Sequence, residues 1–230
     1  MQGKQVKEQI QTLIVEASKL DPSLANRLQQ VHRWLKDLKP GSLTAKKFVT
    51  AFLLQLIKDS QVWLALHRLS SEEEQQAAFE LMTPTERYWY GYIFPKWLNQ
   101  KDPKFYLWKQ KLMAGAFNQA DAQIVQSLAE DIVRRKGTFL HRYVADLSMA
   151  TDLIVSNRQE KPLCVQITSV SHEFAQIKYE KWKKTLKKWE IQRGLFLSYN
   201  PQELGYLKVL VNISLYNSDH LQIETYLKFP

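Results

Sequence analysis

Apolar residues recur at helical spacing through the first half of the chain. Val6, Ile10, Leu13, Ile14 and Ala17 form one stripe, and Leu20-Asp21-Pro22-Ser23 closes that helix and caps the next. A second helix over 23–38 carries Leu24, Leu28, Val31, Leu35 and Leu38 on one face, and Lys39-Pro40-Gly41-Ser42 breaks it. Residues 44–69, with Phe48, Phe52, Leu56, Val62, Trp63 and Leu66, predict one long helix or two. Ser70-Ser71 followed by Glu72, Glu73 and Glu74 is a helix cap with acids in the first turn, where they complement the helix dipole.

The pattern changes near residue 118. Ile124, Val125, Leu128, Ile132 and Val133 predict an amphipathic helix over 122–136, stopped by Gly137. Runs with strand character follow at 139–147, 150–156 and 163–170. A helix over 172–192 comes next, then strands at 194–199 and 207–215 and a further one at 222–229. The chain is therefore expected to be α/β: a helical region over 1–118, then a mixed-sheet domain over 119–230.

Composition narrows the classes. The chain has 230 residues, 45% of them hydrophobic and 24% charged, which suits an ordinary globular protein with a sizeable core. Its one cysteine, Cys164, lies in an apolar strand, which excludes a disulfide framework and a cysteine zinc site and fits a reducing cytoplasm. No signal-peptide core follows the polar first residues, and no apolar run approaches the ~20 residues of a membrane span. No glycine-rich phosphate loop is present, and His32, His67, His141, His172 and His220 show no metal-ligand spacing. His141 and His172 bracket the central strands.

Charge points to a polyanion. The net charge is +9, spread along the chain rather than held in a tail. In the 172–192 helix, Tyr179, Trp182, Leu186 and Trp189 share a face, while Lys178, Lys181, Lys183, Lys184, Lys187 and Lys188 fill most of the remainder. Between Lys178 and Glu190 only Glu180 and Glu190 offset these lysines, so phosphate contact through Lys181, Lys184 and Lys188 is expected, extended by Arg134 and Arg135. A second candidate surface runs from Thr83 to Trp108, where Tyr88, Trp89, Tyr90, Tyr92, Phe94, Trp97, Phe105 and Tyr106 interleave with Arg87, Lys96, Lys101, Lys104 and Lys109. Such rings stack on unpaired bases, or fill the irregular turns set by Pro84, Pro95 and Pro103.

The chemistry concentrates on two neighbouring strands. Asp152 opens one, and Gln166 and Thr168, on one side by strand alternation, close the other. A carboxylate and an amide at adjacent strand ends can hold a divalent ion over a phosphodiester.

The order of helix, three strands, helix and strand, with Asp152 and Gln166-Ile167-Thr168 so placed, resembles the core of the PD-(D/E)xK nuclease superfamily, the restriction-endonuclease-like fold. The resemblance covers about 120–200. It implies a Mg²⁺ site in which the motif aspartate is Asp152, the second acidic position is Gln166 and the catalytic lysine position is Thr168. Thr151 stands where the motif has proline. A further acid on the preceding helix would be Glu130 or Asp131, and Lys178 of the crossover helix is the candidate substitute for the lysine. The expected function is nucleic-acid binding with Mg²⁺-dependent phosphodiester cleavage. The rival is an inactive nuclease-fold subunit, a protein scaffold within a nucleoprotein or defence complex.

Overall fold

The computed structural model describes residues 3–38, 47–114, 119–169 and 172–229. The break expected at Lys39–Ser42 and the helix start expected at Thr44 lie outside them. The N-terminal part is helical: α1 (Gly3–Leu20), α2 (Pro22–Lys36), α3 (Lys47–His67) and α4 (Glu72–Glu80). Then come α5 (Pro84–Tyr88), a π-helical turn at Trp89–Ile93, α6 (Phe94–Asn99) and α7 (Phe105–Ala114). Helices and strands alternate thereafter. They are α8 (Gln119–Arg134), β1 (Thr138–Leu140), α9 (Tyr143–Met149), β2 (Leu153–Ser156) and β3 (Leu163–Thr168), followed by α10 (His172–Lys188), β4 (Arg193–Ser198), α11 (Tyr206–His220) and β5 (Thr225–Phe229).

The chain divides into two compact units: Met1–Leu81 with Phe94–Phe117, and Met82–Ile93 with Asn118–Pro230. The first is all-helical in its described residues. Val6, Ile10, Leu24, Leu28, Val31, Leu35, Phe52, Leu53 and Leu56 are buried, as their helical spacing requires. Asp21 starts α2 by accepting from Ser23 N at 2.8 Å, and its other oxygen accepts from Trp63 Nε1 at 2.6 Å. Arg27 is buried here, with its guanidinium 4.7 Å from the Trp97 ring and donating to the carbonyls of Trp97 and Gln100. Burial lowers its pKa, opposed by the charge of Asp102.

The second unit is built on a five-stranded sheet in the order β1-β2-β3-β4-β5. The first three strands form an antiparallel meander, and β3, β4 and β5 run parallel. Strand alternation separates two faces. One carries Leu153, Val155, Leu163, Val165, Leu195 and Leu197, packed under Leu128 and Ile132 of α8 and Leu210, Val211 and Leu215 of α11. The other carries Ile154, Cys164, Gln166, Thr168, Gly194, Phe196 and Ser198, and α10 covers it with Tyr179 and Trp182 against Phe196. Gly194 permits this approach, because a Cβ there would come within 2.7 Å of the Trp182 ring.

The steps from β3 to β4 and from β4 to β5 run in the same direction across the sheet. Their helices, α10 and α11, lie on opposite faces, so the two crossovers have opposite hands. At the amino edge of the parallel strands, Arg193 binds four backbone carbonyls, those of Pro162, Asn217, Ser218 and Leu221. This ties the end of α11 to the turn before β3.

Two expected strands are corrected. The strand predicted over 139–147 ends at Leu140, and Tyr143–Met149 is helix α9. Val144, Ala145, Leu147, Ser148 and Met149 are buried there, and Ala150 ends the helix in the left-handed region at φ 53°. The strand predicted over 207–215 is part of α11. Leu210, Val211, Ser214, Leu215 and Ser218 make its buried stripe, a helical spacing hidden within an alternating apolar run.

Candidate functional site

The antiparallel pairing of Leu153 with Val165 sets Asp152 beside the end of β3, where its N–H donates to Val165 O at 2.9 Å. Asp152 Oδ2 accepts from Gln166 Nε2 and from Ile167 N, both at 2.6 Å. Short bonds of this kind are charge-assisted and fix the carboxylate in place. Gln166 Nε2 also donates to Ile167 O at 3.2 Å. Its two amide hydrogens are thus used, and Oε1 is left as the acceptor end. From α10, Lys178 Nζ donates to Thr168 Oγ1 at 3.3 Å. The structure therefore gathers Asp152, Gln166, Thr168 and Lys178 at the carboxyl end of β3.

That donor set can be tested against a hard divalent cation. One carboxylate and one neighbouring amide carbonyl suit an ion such as Mg²⁺, which keeps most of its waters and takes phosphate oxygens. They do not make a closed protein cage. Among the described residues no group of three or more His, Cys, Asp or Glu side chains is placed to hold a metal ion. Ligation through Gln166 Oε1 requires the amide to turn over and give up its bond to Asp152.

The remaining candidates lie elsewhere. Glu130 is exposed on α8, in the layer on the opposite face of the sheet from α10, and accepts from Gln126 Nε2 at 2.9 Å. Asp131 pairs with Arg134 at 3.1 Å and with Arg135 at 2.7 Å. Arg135 also donates to Asn212 Oδ1. Arg134 and Arg135 belong to the α8 layer and are engaged by Asp131, so they do not share the α10 face with Lys181, Lys184 and Lys188. Those three lysines are exposed, and none is in an ion pair among the described residues.

In the aromatic segment, Trp89, Tyr90, Phe94 and Trp97 are buried and closed to bases, while Tyr106 is exposed. The ring of His141 packs edge-on to Tyr143 at 5.3 Å, and burial, then the charge of Arg142, brings its pKa down to about 4. The side chain of His172 and residue Ser171 lie outside the described residues. Burial pushes the Cys164 thiol up to about 12, which makes it an inert core group.

Sequence reasoning missed Ser198, Tyr199 and Tyr206, which line a cavity at the carboxyl end of β4. The signal was hidden because α11 read as a strand. No helix among the described residues is long and apolar enough to cross a membrane. Comparison with protein-family models, curated proteins and solved structures gives no match to this chain.

Proposed function

We propose that the sheet-bearing unit binds nucleic-acid backbone along α10 and cleaves a phosphodiester at the corner formed by Asp152, Gln166 and Lys178. The observation that carries this reading is the amine of Lys178 at Thr168 Oγ1, on the same strand end as the Asp152–Gln166 pair. The order of α8, β1, β2, β3, α10 and β4, with α9 inserted between β1 and β2, supports placing this unit with the restriction-endonuclease-like nucleases. A bound Mg²⁺ would supply charge neutralisation at the scissile phosphate and an acidified water. Asp152 and Gln166 Oε1 are the residues that would hold it. Lys178, steadied by Thr168, offers positive charge to the non-bridging phosphate oxygens. Lys181, Lys184 and Lys188 grip flanking phosphates.

One observation favours a second reading. Gln166 Nε2 and Ile167 N already balance the Asp152 carboxylate through hydrogen bonds, which is the arrangement expected of a site that has exchanged its cation for an amide. On that reading the unit is a binding-only subunit of a nucleoprotein or defence assembly.

The deciding experiment incubates single- and double-stranded DNA and RNA with the protein and Mg²⁺ or Mn²⁺, beside Asp152→Ala and Lys178→Ala. Cleavage should fall by about 100-fold or more in both variants while binding persists, since each removes a charge that acts on the reacting phosphate. Cleavage that survives Asp152→Ala, or no cleavage by the parent protein, removes the catalytic reading. Affinity should fall steeply with salt and on reversing the charges of Lys181, Lys184 and Lys188. Affinity indifferent to both would remove the nucleic-acid reading.

A further inference from the structure

The sheet ends at β5, whose single strand partner is β4, so among the described residues the outer row of its backbone groups faces no strand. Such a row is a template for a further strand. Thr225, Tyr226, Leu227 and Phe229 are good strand formers and are all half-buried. What could add to this edge is decided by the side chains along it.

Glu224, Tyr226 and Lys228 lie on the α10 side of the strand. Lys228 Nζ donates to Gln176 Oε1 of α10 at 3.0 Å. Burial, then the charge of Glu224, raises the pKa of Tyr226, which sets that carboxylate beside the Tyr226 ring. Glu224 is exposed and in no ion pair among the described residues. The alternate positions are apolar: Leu227 and Phe229 pack on the core under α11, and Ile223, just before the strand, is 66% exposed.

Reversed about Tyr226, the segment 223–229 complements itself. When two copies pair antiparallel with Tyr226 opposite Tyr226, Glu224 falls opposite Lys228, Thr225 opposite Leu227 and Ile223 opposite Phe229. Two-fold symmetry makes each of these pairings twice. Opposite charges and apolar pairs across a ladder stabilise it, whereas like charges directly opposite oppose it. Moving the axis to Lys228 would set Lys228 against its own copy, so charge selects the register. Val209 of α11, 54% exposed, shares a cavity wall with Phe229 and offers the partner's Ile223 an apolar seat.

We propose that the protein forms a two-fold dimer through β5, which joins two five-stranded sheets into one of ten strands and keeps both α10 helices on the same face. The occupant of the open edge is a second copy of this chain. The inference stands apart from the nucleic-acid reading.

Sedimentation equilibrium of the full chain should give twice the 27.1 kDa chain mass at micromolar concentration. Glu224→Lys and Lys228→Glu each exchange two attractive pairs for two repulsive ones, and each should weaken the dimer roughly tenfold or more. Mixing the two variants should restore it, because a copy with lysine at both positions then faces a copy with glutamate at both. Misfolded chains would not rescue each other in this way. A parent protein that stays monomeric up to ~100 μM would overturn the proposal. So would a dimer that both single variants keep, since it would use another surface. Variants that weaken the dimer and fail to rescue each other would overturn the pairing about Tyr226.

Discussion

The two faces of the sheet are built from the same strands and divide their tasks. Toward α8 and α11 the inward positions of β2, β3 and β4 are aliphatic except Arg193 at the start of β4, whose guanidinium is taken up by backbone carbonyls. Toward α10 the alternate positions of those strands are Ile154, Cys164, Gln166, Thr168, Gly194, Phe196 and Ser198. Ser156 of β2 is on this face too, near the amino end of β3, while Gln166, Thr168 and Ser198 cluster at the carboxyl end. The first face fixes register, since a slip of one residue would bury Gln166 and Thr168 under α11. The second holds only its amino half shut with the Trp182, Leu186 and Trp189 cover, and leaves its other half to polar contacts. Stability and the proposed chemistry are thus separated across one strand thickness.

The strongest challenge to that contrast is Leu195→Ala. It should cost about 2–5 kcal/mol by leaving a cavity in the aliphatic face, measured by urea unfolding, with nucleic-acid affinity of the folded protein unchanged. If binding fell in step with stability, the division between faces would be false.

Next in size is the pH dependence set by His141, which precedes α9 on the α10 side. Its folded pKa of about 4 lies below the ordinary 6.5, so the unfolded chain takes up a proton first as the pH falls. Stability is full above pH 6.5 and is lost as the pH drops toward 4. The loss is at most about 3 kcal/mol. In His141→Gln the unfolding midpoint should lose this part of its pH dependence. A parent and a variant with identical pH profiles would show that His141 is not the cause.

Gln166→Glu sharpens the contrast at the site itself. It exchanges the donor to Asp152 for a second carboxylate and should destabilise the ion-free protein by about 1–3 kcal/mol. Millimolar Mg²⁺ or Mn²⁺ should restore the melting temperature, and acidification should relieve the repulsion as one carboxyl takes a proton. A melting temperature indifferent to these ions would mean that the corner does not accept a cation. The smallest effect belongs to Thr168→Val, within about 0.5 kcal/mol, because its bond to Lys178 is at the surface. There the readout is activity, not stability.

Much of this organisation was legible in the sequence. The β2 and β3 strands, the α10 helix and the meeting of Asp152 with Gln166 follow from period-2 and period-3.6 spacing, as does the cap at Ser71, whose side chain accepts from Glu74 N. Alternation placed Gln166 and Thr168 on one side, whereas Lys178 was suggested only by the family resemblance, and its amine does meet Thr168 in the structure. Two elements misled. In 207–215, β-branched residues alternate with polar ones, yet burial follows the stripe of Leu210, Ser214 and Ser218, so tertiary packing overrode local propensity. Arg142 interrupts a run that otherwise reads as strand and begins α9. The distribution of Arg134, Arg135 and Glu130 to the layer opposite α10 could not be read either. Which face a helix covers depends on crossover hand, not on spacing along one chain.

The four-carbonyl grip of Arg193 gives the sheet a mechanical polarity. One end of the parallel strands is clamped through a single guanidinium, while at the other end the loops splay apart. Fluctuations should therefore grow from the clamp toward the splayed rim, in the manner of a hinge and its free leaf. Amide hydrogen exchange should be slow at Leu163 and Gly194 and faster toward Thr168 and Ser198, and a uniform rate along the strands would contradict this. On the proposed function, a nucleic-acid strand arriving at the rim would then meet the more compliant end of a sheet whose far end stays fixed.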